Sequence, residues 1–323
     1  MAASDRPPPR TGPRDPGDAW VEGPDGTRMW GRFGSAGLVA FDPDRGILLQ
    51  HRAVWSHFGG TWGIPGGARH QGEAAVDAAL REAHEEAGVP VDALTPLFSS
   101  VRDLGFWSYT TVAARTVRPF EPSMNDAESL DLAWVPPADV EHLPLHPHFA
   151  EDWPRLRALL EHPAVLIVDA ANVVGSRPDG WWRDRAGAAG RLLSNLAAAA
   201  DDGFAADMFE VNAGSIWPRT AVVLEGAAKA AAAAGRYTLD GGRSARAGPD
   251  TSHGRNRDPL WIVHAAGSGD DEIVNQAGSF LAEDPDAPIT VVTSDRGLRG
   301  RVTGLGARVV GAGSLLDRLP PGR

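Results

Sequence analysis

The sequence predicts two consecutive α/β units. Three observations carry this. The chain has 323 residues, which fits about two domains at roughly 100–200 residues each. Apolar strand-like runs alternate with helical stretches along it, and a fresh series of such runs begins at about Pro163. Met1–Asp18 reads as a disordered leader, too poor in apolar residues to order itself. The first unit then covers residues 19–162 and the second residues 163–323. In the first, Ala36–Phe41 and Ile47–His51 are strands, and Asp42-Pro43-Asp44-Arg45-Gly46 supplies hairpin turn chemistry between them. Pro65-Gly66-Gly67 breaks the chain before a helix over about Glu73–Ala87, which Gly88 and Pro90 stop. Trp107–Ala114 and Leu130–Val135 add strands, and Trp153–Glu161 closes the unit as a helix.

In the second unit Ala164–Asp169 is a strand and Trp181–Ala200 a helix. Strands Ala221–Glu225, Leu260–His264 and Ile289–Ser294 follow, with helices at Asp270–Leu281 and from Arg296. This alternation argues for a doubly wound, mostly parallel sheet. Arg236–Asp258 is Gly-rich and reads as a mobile loop carrying Arg236, Arg243, Arg246, Arg255 and Arg257.

Composition excludes several function classes. There is no Cys, so disulfides, thiolate zinc sites and a Cys nucleophile are ruled out. The net charge of −11 argues against a nucleic-acid binder that works by bulk charge. The acidity is concentrated, with 23 acids against 14 Arg in residues 1–162. The N-terminus lacks the apolar stretch of a signal peptide, and no run approaches the ~20 apolar residues of a membrane span. A soluble cytoplasmic protein is therefore expected.

The chemistry of the first unit is concentrated in Gly67–Val89, which reads GARHQGEAAVDAALREAHEEAGV. At about 100° per residue, Val76, Leu80, Ala83 and Ala87 form the buried stripe. Glu82 and Glu86 lie about 40° apart, and Glu85 about 60° to the other side of Glu82. Three carboxylates thus crowd one flank, where they repel unless a cation joins them. Mg²⁺ suits them, because it takes hard oxygen ligands and retains waters that phosphates can replace. A solvated acidic face is the alternative for the three Glu alone.

The full pattern is Gly67, five residues, Glu73, seven residues, then Arg81-Glu82-Ala83-x-Glu85-Glu86-x-Gly88-Val89. It resembles the signature box of the Nudix hydrolases, with Ala83 where a larger aliphatic is usual. Leu48–Arg52 and Gly60–Gly67 resemble the strand and loop before the box in MutT-like members. The resemblance spans roughly Gly31–Glu161. It implies an α/β/α sandwich with a mixed sheet, and hydrolysis of the diphosphate bond of a nucleoside di- or triphosphate derivative with Mg²⁺ or Mn²⁺. By position, it implies that Glu85 and Glu86 hold metal, with Glu82 as ligand or base and the Gly66 carbonyl as a further ligand. Arg81 would orient the carboxylates, supported by Glu73, and Arg52 would face the phosphates. Glu128 is the alternative base, on a loop before a strand. Trp107 and Phe106 are candidates to stack a base.

In the second unit, acids sit at strand ends, where open α/β sheets bind ligands. Asp169, Asp295 and the Asp270-Asp271-Glu272 run either build a divalent-metal site or cap helices. The segments Asp169–Val174, Gly269–Ile273 and Thr293–Arg296 resemble the NYN/PIN-like ribonuclease domain, notably its YacP-like branch. That resemblance implies a metal centre of Asp169, Asn172, Asp271 and Asp295, with Asp270 beside them, and RNA as a partner along the Arg-rich loop. Three functional readings follow: a Nudix pyrophosphohydrolase fused to this domain, a PIN-like ribonuclease with the Nudix unit as nucleotide sensor, and a non-catalytic nucleotide-binding module.

Overall fold

The computed structural model describes residues 15–178, 180–237 and 260–320. The chain divides into two units between Leu160 and Glu161. Most of the expected leader, and residues 238–259, which hold most of the expected Arg236–Asp258 loop, lie outside the described residues.

The first unit opens with an antiparallel hairpin, β1 (Trp20–Glu22) and β2 (Arg28–Trp30). There follow β3 (Ser35–Asp42), β4 (Gly46–Arg52), β5 (Trp62–Gly63) and β6 (Gly66–Ala68). Helix α1 (Ala75–Ala87), β7 (Leu94–Asp103), β8 (Ser108–Thr116), β9 (Ser129–Val135) and α2 (Pro147–Glu161) complete it. The sheet is mixed. Strand β3 runs parallel to β8 and antiparallel to β4 and β6, β7 lies antiparallel outside β8, and β5 and β9 both pair with β4.

The β3–β4 turn is built by its own residues. Asp42 Oδ1 accepts from the Asp44 and Arg45 N–H groups, and its Oδ2 accepts from Arg45 and Thr116. Gly46 has φ +96°, and a Cβ there would stand 2.1 Å from the Val135 carbonyl oxygen. Helix α1 lies on the sheet through Ala78, Ala79, Leu80, Ala83 and Ala87, against Ala36, Leu38, Leu48 and Val112. Four of these five helix residues are Ala, so the helix axis can approach the strands closely. Gly88 ends it at φ +64°, donating to the His84 carbonyl, while the Val89 N–H donates to Ala83.

Two sequence expectations need correction here. Strand β7 was not anticipated, because Thr95, Pro96 and Ser99 interrupt its pattern. Pro96 is tolerated at an irregularity in the pairing with β8. Gly66-Gly67, expected as a loop, is part of a short strand. Here β6 pairs with Ala36 and Gly37 so tightly that a Cβ on Gly66 would be 2.5 Å from the Ala36 carbonyl oxygen.

The second unit contains β10 (Val165–Asp169), α3 (Ala170–Gly175), α4 (Arg185–Asp202) and a minimal hairpin of β11 (Phe204–Ala205) with β12 (Ser215–Ile216). It continues with β13 (Arg219–Leu224), β14 (Gly235–Tyr237), β15 (Leu260–His264), α5 (Gly269–Glu283), β16 (Ile289–Val292), α6 (Arg296–Thr303), β17 (Arg308–Val310) and α7 (Ala312–Leu316). The strand order is β14-β15-β13-β10-β16-β17, all parallel except the edge strand β14. The order reverses at the central β10, whose five residues are all buried, as a parallel strand covered on both faces requires. Val165 and Ile167 point to the α5–α6 side, where Ile273, Ala277, Leu298 and Val302 pack. The expected helix at Trp181 begins instead at Arg185, because the Asp184 side chain caps it through the Gly187 N–H; Trp181–Arg183 form a 3₁₀ turn. Among the described residues no helix is long and apolar enough to cross a membrane.

Gly46→Ala is expected to destabilise the chain by about 1–3 kcal/mol, through positive φ and the Val135 clash. Urea unfolding checks it, and an unchanged midpoint contradicts this account of the turn.

Candidate active site

The C-terminal end of the box helix meets strand β6 and the loop before β9. Glu86 is 6% exposed although it is a carboxylate. Its Oε2 accepts from the Gly66 N–H at 3.0 Å. Glu86, Asp126 and Glu128 bring ligand oxygens within 4.8 Å of one another. Burial pushes the Glu86 carboxyl well above the usual range, and the charges of Glu82, Asp126 and Glu128 push it further. Burial likewise raises Glu82 to about 7, although Arg81 opposes it. Burial also raises Asp126, against hydrogen bonds from the Glu128 and Ser129 N–H groups.

Arg81 fastens this group. Its Nε and Nη2 donate to the two Glu73 oxygens at 2.8 and 3.0 Å. Its Nη1 donates to Glu82 at 2.8 Å and Glu85 at 3.2 Å, and Nη2 also donates to the Ala68 carbonyl. Burial disfavours the Arg81 cation, but these carboxylates more than compensate and raise its pKa. Glu73 lies before α1, where its Oε2 accepts the His70 N–H. Burial would raise its pKa, yet Arg81 and the His70 N–H carry it below the usual range. Gly67 gives the group room, since a Cβ there would meet the Glu82 carboxyl at 2.7 Å.

Arg81, Glu82, Glu85, Glu86, Asp126 and Glu128 line a cavity of about 660 Å³. Arg52 also lines it, and its charge is felt by Asp126, His57 and His146. Its Nε donates to the His57 carbonyl.

The expected site residues are thus brought together unequally. Glu82, Glu86, Gly66, Arg81, Arg52 and Glu128 share the cavity wall. Glu85 also lines it but stays 56% exposed in its side chain, so the compact acidic trio is Glu86, Asp126 and Glu128 rather than three box glutamates. Gly66 touches Glu86 through its N–H. Trp107 lines the cavity but is 8% exposed, and its indole N–H is spent on the Trp30 carbonyl. Phe106 packs instead against Gly23, where a Cβ would lie 2.6 Å from its ring. Sequence reasoning missed Asp126, although its neighbour Glu128 was singled out, because a loop carries no periodicity to mark which acid turns inward. It also missed Trp20, His57 and His146, which only the fold gathers.

In the second unit, Asp169 is 7% exposed. Its Oδ1 accepts the Asn172 N–H at 3.0 Å and its Oδ2 the Thr293 hydroxyl at 2.9 Å. Burial raises its pKa, with Asp270 and Glu225 adding to the effect. Asp295 caps α6 through the Leu298 N–H, and Asn172 Oδ1 accepts the Ser294 N–H. Asp169 and Asp295 therefore both cap helices. Asp271 is drawn outward into an ion pair with Arg301 at 2.7 Å. Asp270, one step round the helix, takes its place facing Asp295 and Glu225. Among the described residues, only Glu86–Asp126–Glu128 and the surface group His162–Asp284–Asp286 bring three ligand atoms within 4.8 Å; the Asp169 group does not.

A model of the NUDIX domain matches residues 31–159. The chain is 46% identical over 154 residues to a putative 8-oxo-dGTP diphosphatase 3 of Mycobacterium tuberculosis, covering 45% of this chain and 70% of that protein. The chain belongs to the Nudix family. It is also 41% identical over 165 residues to a nucleoside triphosphate pyrophosphatase/Nudix hydrolase fusion protein of Bifidobacterium longum, of which it spans 34%. A Nudix hydrolase of M. smegmatis, RenU, shares 46% identity over 45% of this chain and 96% of that one, with a TM-score of 0.42. Residues 31–159 are thus a Nudix domain, a hydrolase of phosphoric anhydride bonds.

A raised carboxyl pKa favours the protonated fold. Its contribution is full below the ordinary value near 4.5 and is lost as pH rises through the raised one, at about 7 for Glu82. With divalent ions chelated, the native chain is therefore expected to lose stability between about pH 5 and 8 relative to Glu82→Gln, by roughly 1–3 kcal/mol at pH 8. Urea unfolding at both pH values reads it; parallel behaviour of the two proteins contradicts it.

Proposed function

We propose that the Nudix unit is a divalent-metal-dependent diphosphatase of a nucleoside triphosphate, with an oxidised guanine nucleotide of the 8-oxo-dGTP kind as substrate. The observation that carries this is Glu86, a carboxylate 6% exposed and surrounded by other acids, beside the Arg52 cation in one cavity. The M. tuberculosis relative described as a putative 8-oxo-dGTP diphosphatase supports the substrate.

The donor set fits a hard divalent cation: carboxylate oxygens of Glu82, Glu85, Glu86, Asp126 and Glu128, in a space that phosphate oxygens and waters can share. Such a cation, when bound, neutralises phosphoryl oxygens and acidifies water. The remaining work belongs to the chain. Arg81 holds Glu82 and Glu85 on one side of the helix through its Nη1. Arg52 takes the phosphate oxygens beyond the acidic group. Glu128, on its loop, takes the proton from the attacking water, with Glu82 the alternative base. Gly66 anchors Glu86 through its N–H.

Glu85→Gln combined with Glu86→Gln is expected to lower metal-dependent kcat/KM on the order of 10³-fold. Glu128→Gln is expected to lower kcat about 10²–10⁴-fold. Mass-spectrometric product identification on 8-oxo-dGTP, dGTP and dATP checks both. Preference for dATP contradicts the substrate, and unchanged turnover in the double variant contradicts the site.

A second reading concerns the C-terminal unit, supported by a buried carboxylate, Asp169, in the field of Asp270 and Glu225 at the C-terminal strand edge. It is a NYN/PIN-like domain that binds or cleaves RNA with Mg²⁺ or Mn²⁺, using Asp169, Asp270 and Asp295. RNA cleavage that Asp169→Asn and Asp295→Asn abolish is the expected result. No binding or cleavage of single-stranded RNA with either metal contradicts it.

A further inference from the structure

Asp126 and Glu128 reach Glu86 from the loop before β9, which lacks the periodic hydrogen bonds of a helix or strand. The end of this loop is tied to β4 and the residue after it. The Ala53 N–H donates to the Glu128 carbonyl at 2.7 Å. Arg52 pairs with Ser129 in the β4–β9 ladder. Gln50 Nε2 donates to the Ser129 hydroxyl at 2.8 Å. That hydroxyl in turn donates to Asp126 Oδ1 across a longer 3.4 Å, and the Glu128 N–H meets the same oxygen at 3.0 Å.

Packing alone explains neither of two features here. Gln50 is 0% exposed, yet its Oε1 has no hydrogen-bond partner among the described residues. A buried amide with one end unmet is costly to the fold, and an apolar side chain of similar size would avoid that cost. The second feature is the pairing of β4 with β9. Gln50 pairs with Leu132 and His51 with Asp131, but Arg52 pairs with Ser129, so Leu130 is an extra residue. An unbroken register would turn Ser129 to the face of His51. The bulge turns it to the face of Gln50 and Arg52 instead. Leu48 and Leu132, on that same face, belong to the core cluster that α1 covers.

The bulge and the half-met amide have one explanation in common. An ionised carboxylate only accepts, so the Ser129 proton points to Asp126 and the hydroxyl lone pair takes the Gln50 N–H. The chain of hydrogen bonds therefore runs one way, from amide to hydroxyl to carboxylate. We propose that Gln50 and Ser129 are positioning residues that hold Asp126 in the acidic group, and so set the affinity of that group for its cation. Both act through Asp126 and touch neither substrate nor metal, as residues behind a ligand do. This rests on the divalent-cation reading of the site above.

The test is Mn²⁺ titration of the full chain without nucleotide, followed by electron paramagnetic resonance, with melting temperatures and the Mn²⁺ dependence of 8-oxo-dGTP turnover beside it. Gln50→Met removes the amide and keeps the volume. It is expected to weaken Mn²⁺ binding about tenfold or more while the melting temperature holds or rises, because the unmet oxygen leaves with the amide. Turnover then needs correspondingly more Mn²⁺, with the nucleotide KM at saturating Mn²⁺ little changed. Ser129→Ala is expected to weaken Mn²⁺ binding in the same way, and it reads the same link if Gln50→Met does not fold. In an Asp126→Asn background, Gln50→Met is expected to change Mn²⁺ binding no further. Unaltered Mn²⁺ binding in the single variants overturns the positioning role alone, and so does an undiminished Gln50→Met effect in the Asp126→Asn background. A lower melting temperature with wild-type Mn²⁺ binding assigns Gln50 to packing and overturns the role too. A wild-type chain that binds no more Mn²⁺ than Glu86→Gln overturns the reading of the site, and the positioning role with it.

Discussion

Desolvated like charge is the constraint around which the first unit is arranged. Glu82 lies against Gly67 of β6, and Glu86 lies close to the acids of the 126–128 loop. Left alone, such a group would open the fold or take up protons. The surroundings are shaped to keep it closed. Arg81 spreads its guanidinium over Glu73, Glu82 and Glu85, Gly66 lends its N–H to Glu86, and Gly67 leaves no Cβ where Glu82 must lie. The alanine-rich inner face of α1 draws the helix close enough to the sheet for these contacts to form. Stability and charge are thus in tension within one turn of helix, a condition characteristic of sites built to hold a cation.

Much of this was legible in the sequence because the box is local. Gly67, Glu73, Arg81, Glu82, Glu85 and Glu86 sit within 20 residues, and helical periodicity fixes which of them share a flank. The sequence could not tell which glutamate is desolvated, since that depends on what packs against the helix. Asp126 joins the group through a loop contact some 40 residues away, and the cavity wall from Trp20 to His148 draws on residues spread over most of the unit. Such gatherings leave no periodic trace. Strand β7 escaped notice for a different reason: Pro96 and its serines hide a strand that tolerates them at an irregular register.

The second unit shows the same division. Its alternating strands and helices read correctly as a mostly parallel sheet whose strand order reverses at β10. The acids at its strand ends were visible as well, but their partners were not. Asp270 and Asp271 are adjacent in sequence and differ by about 100° on the helix, so one faces Asp295 while the other pairs with Arg301. Asp169 and Asp295 cap helices and also face a common edge, two uses that a sequence motif alone does not separate.

The occupancy of the carboxylate group tests the central claim most directly. Crystals of the full chain grown with Mn²⁺ should show an anomalous peak bounded by Glu82, Glu86, Asp126 and Glu128, with Arg81 still bridging Glu73 and Glu82. A featureless map at that position, with Glu86 still buried and hydrogen-bonded to Gly66, would show that the acids are tolerated there without a cation and would contradict the metal-dependent hydrolysis built upon them.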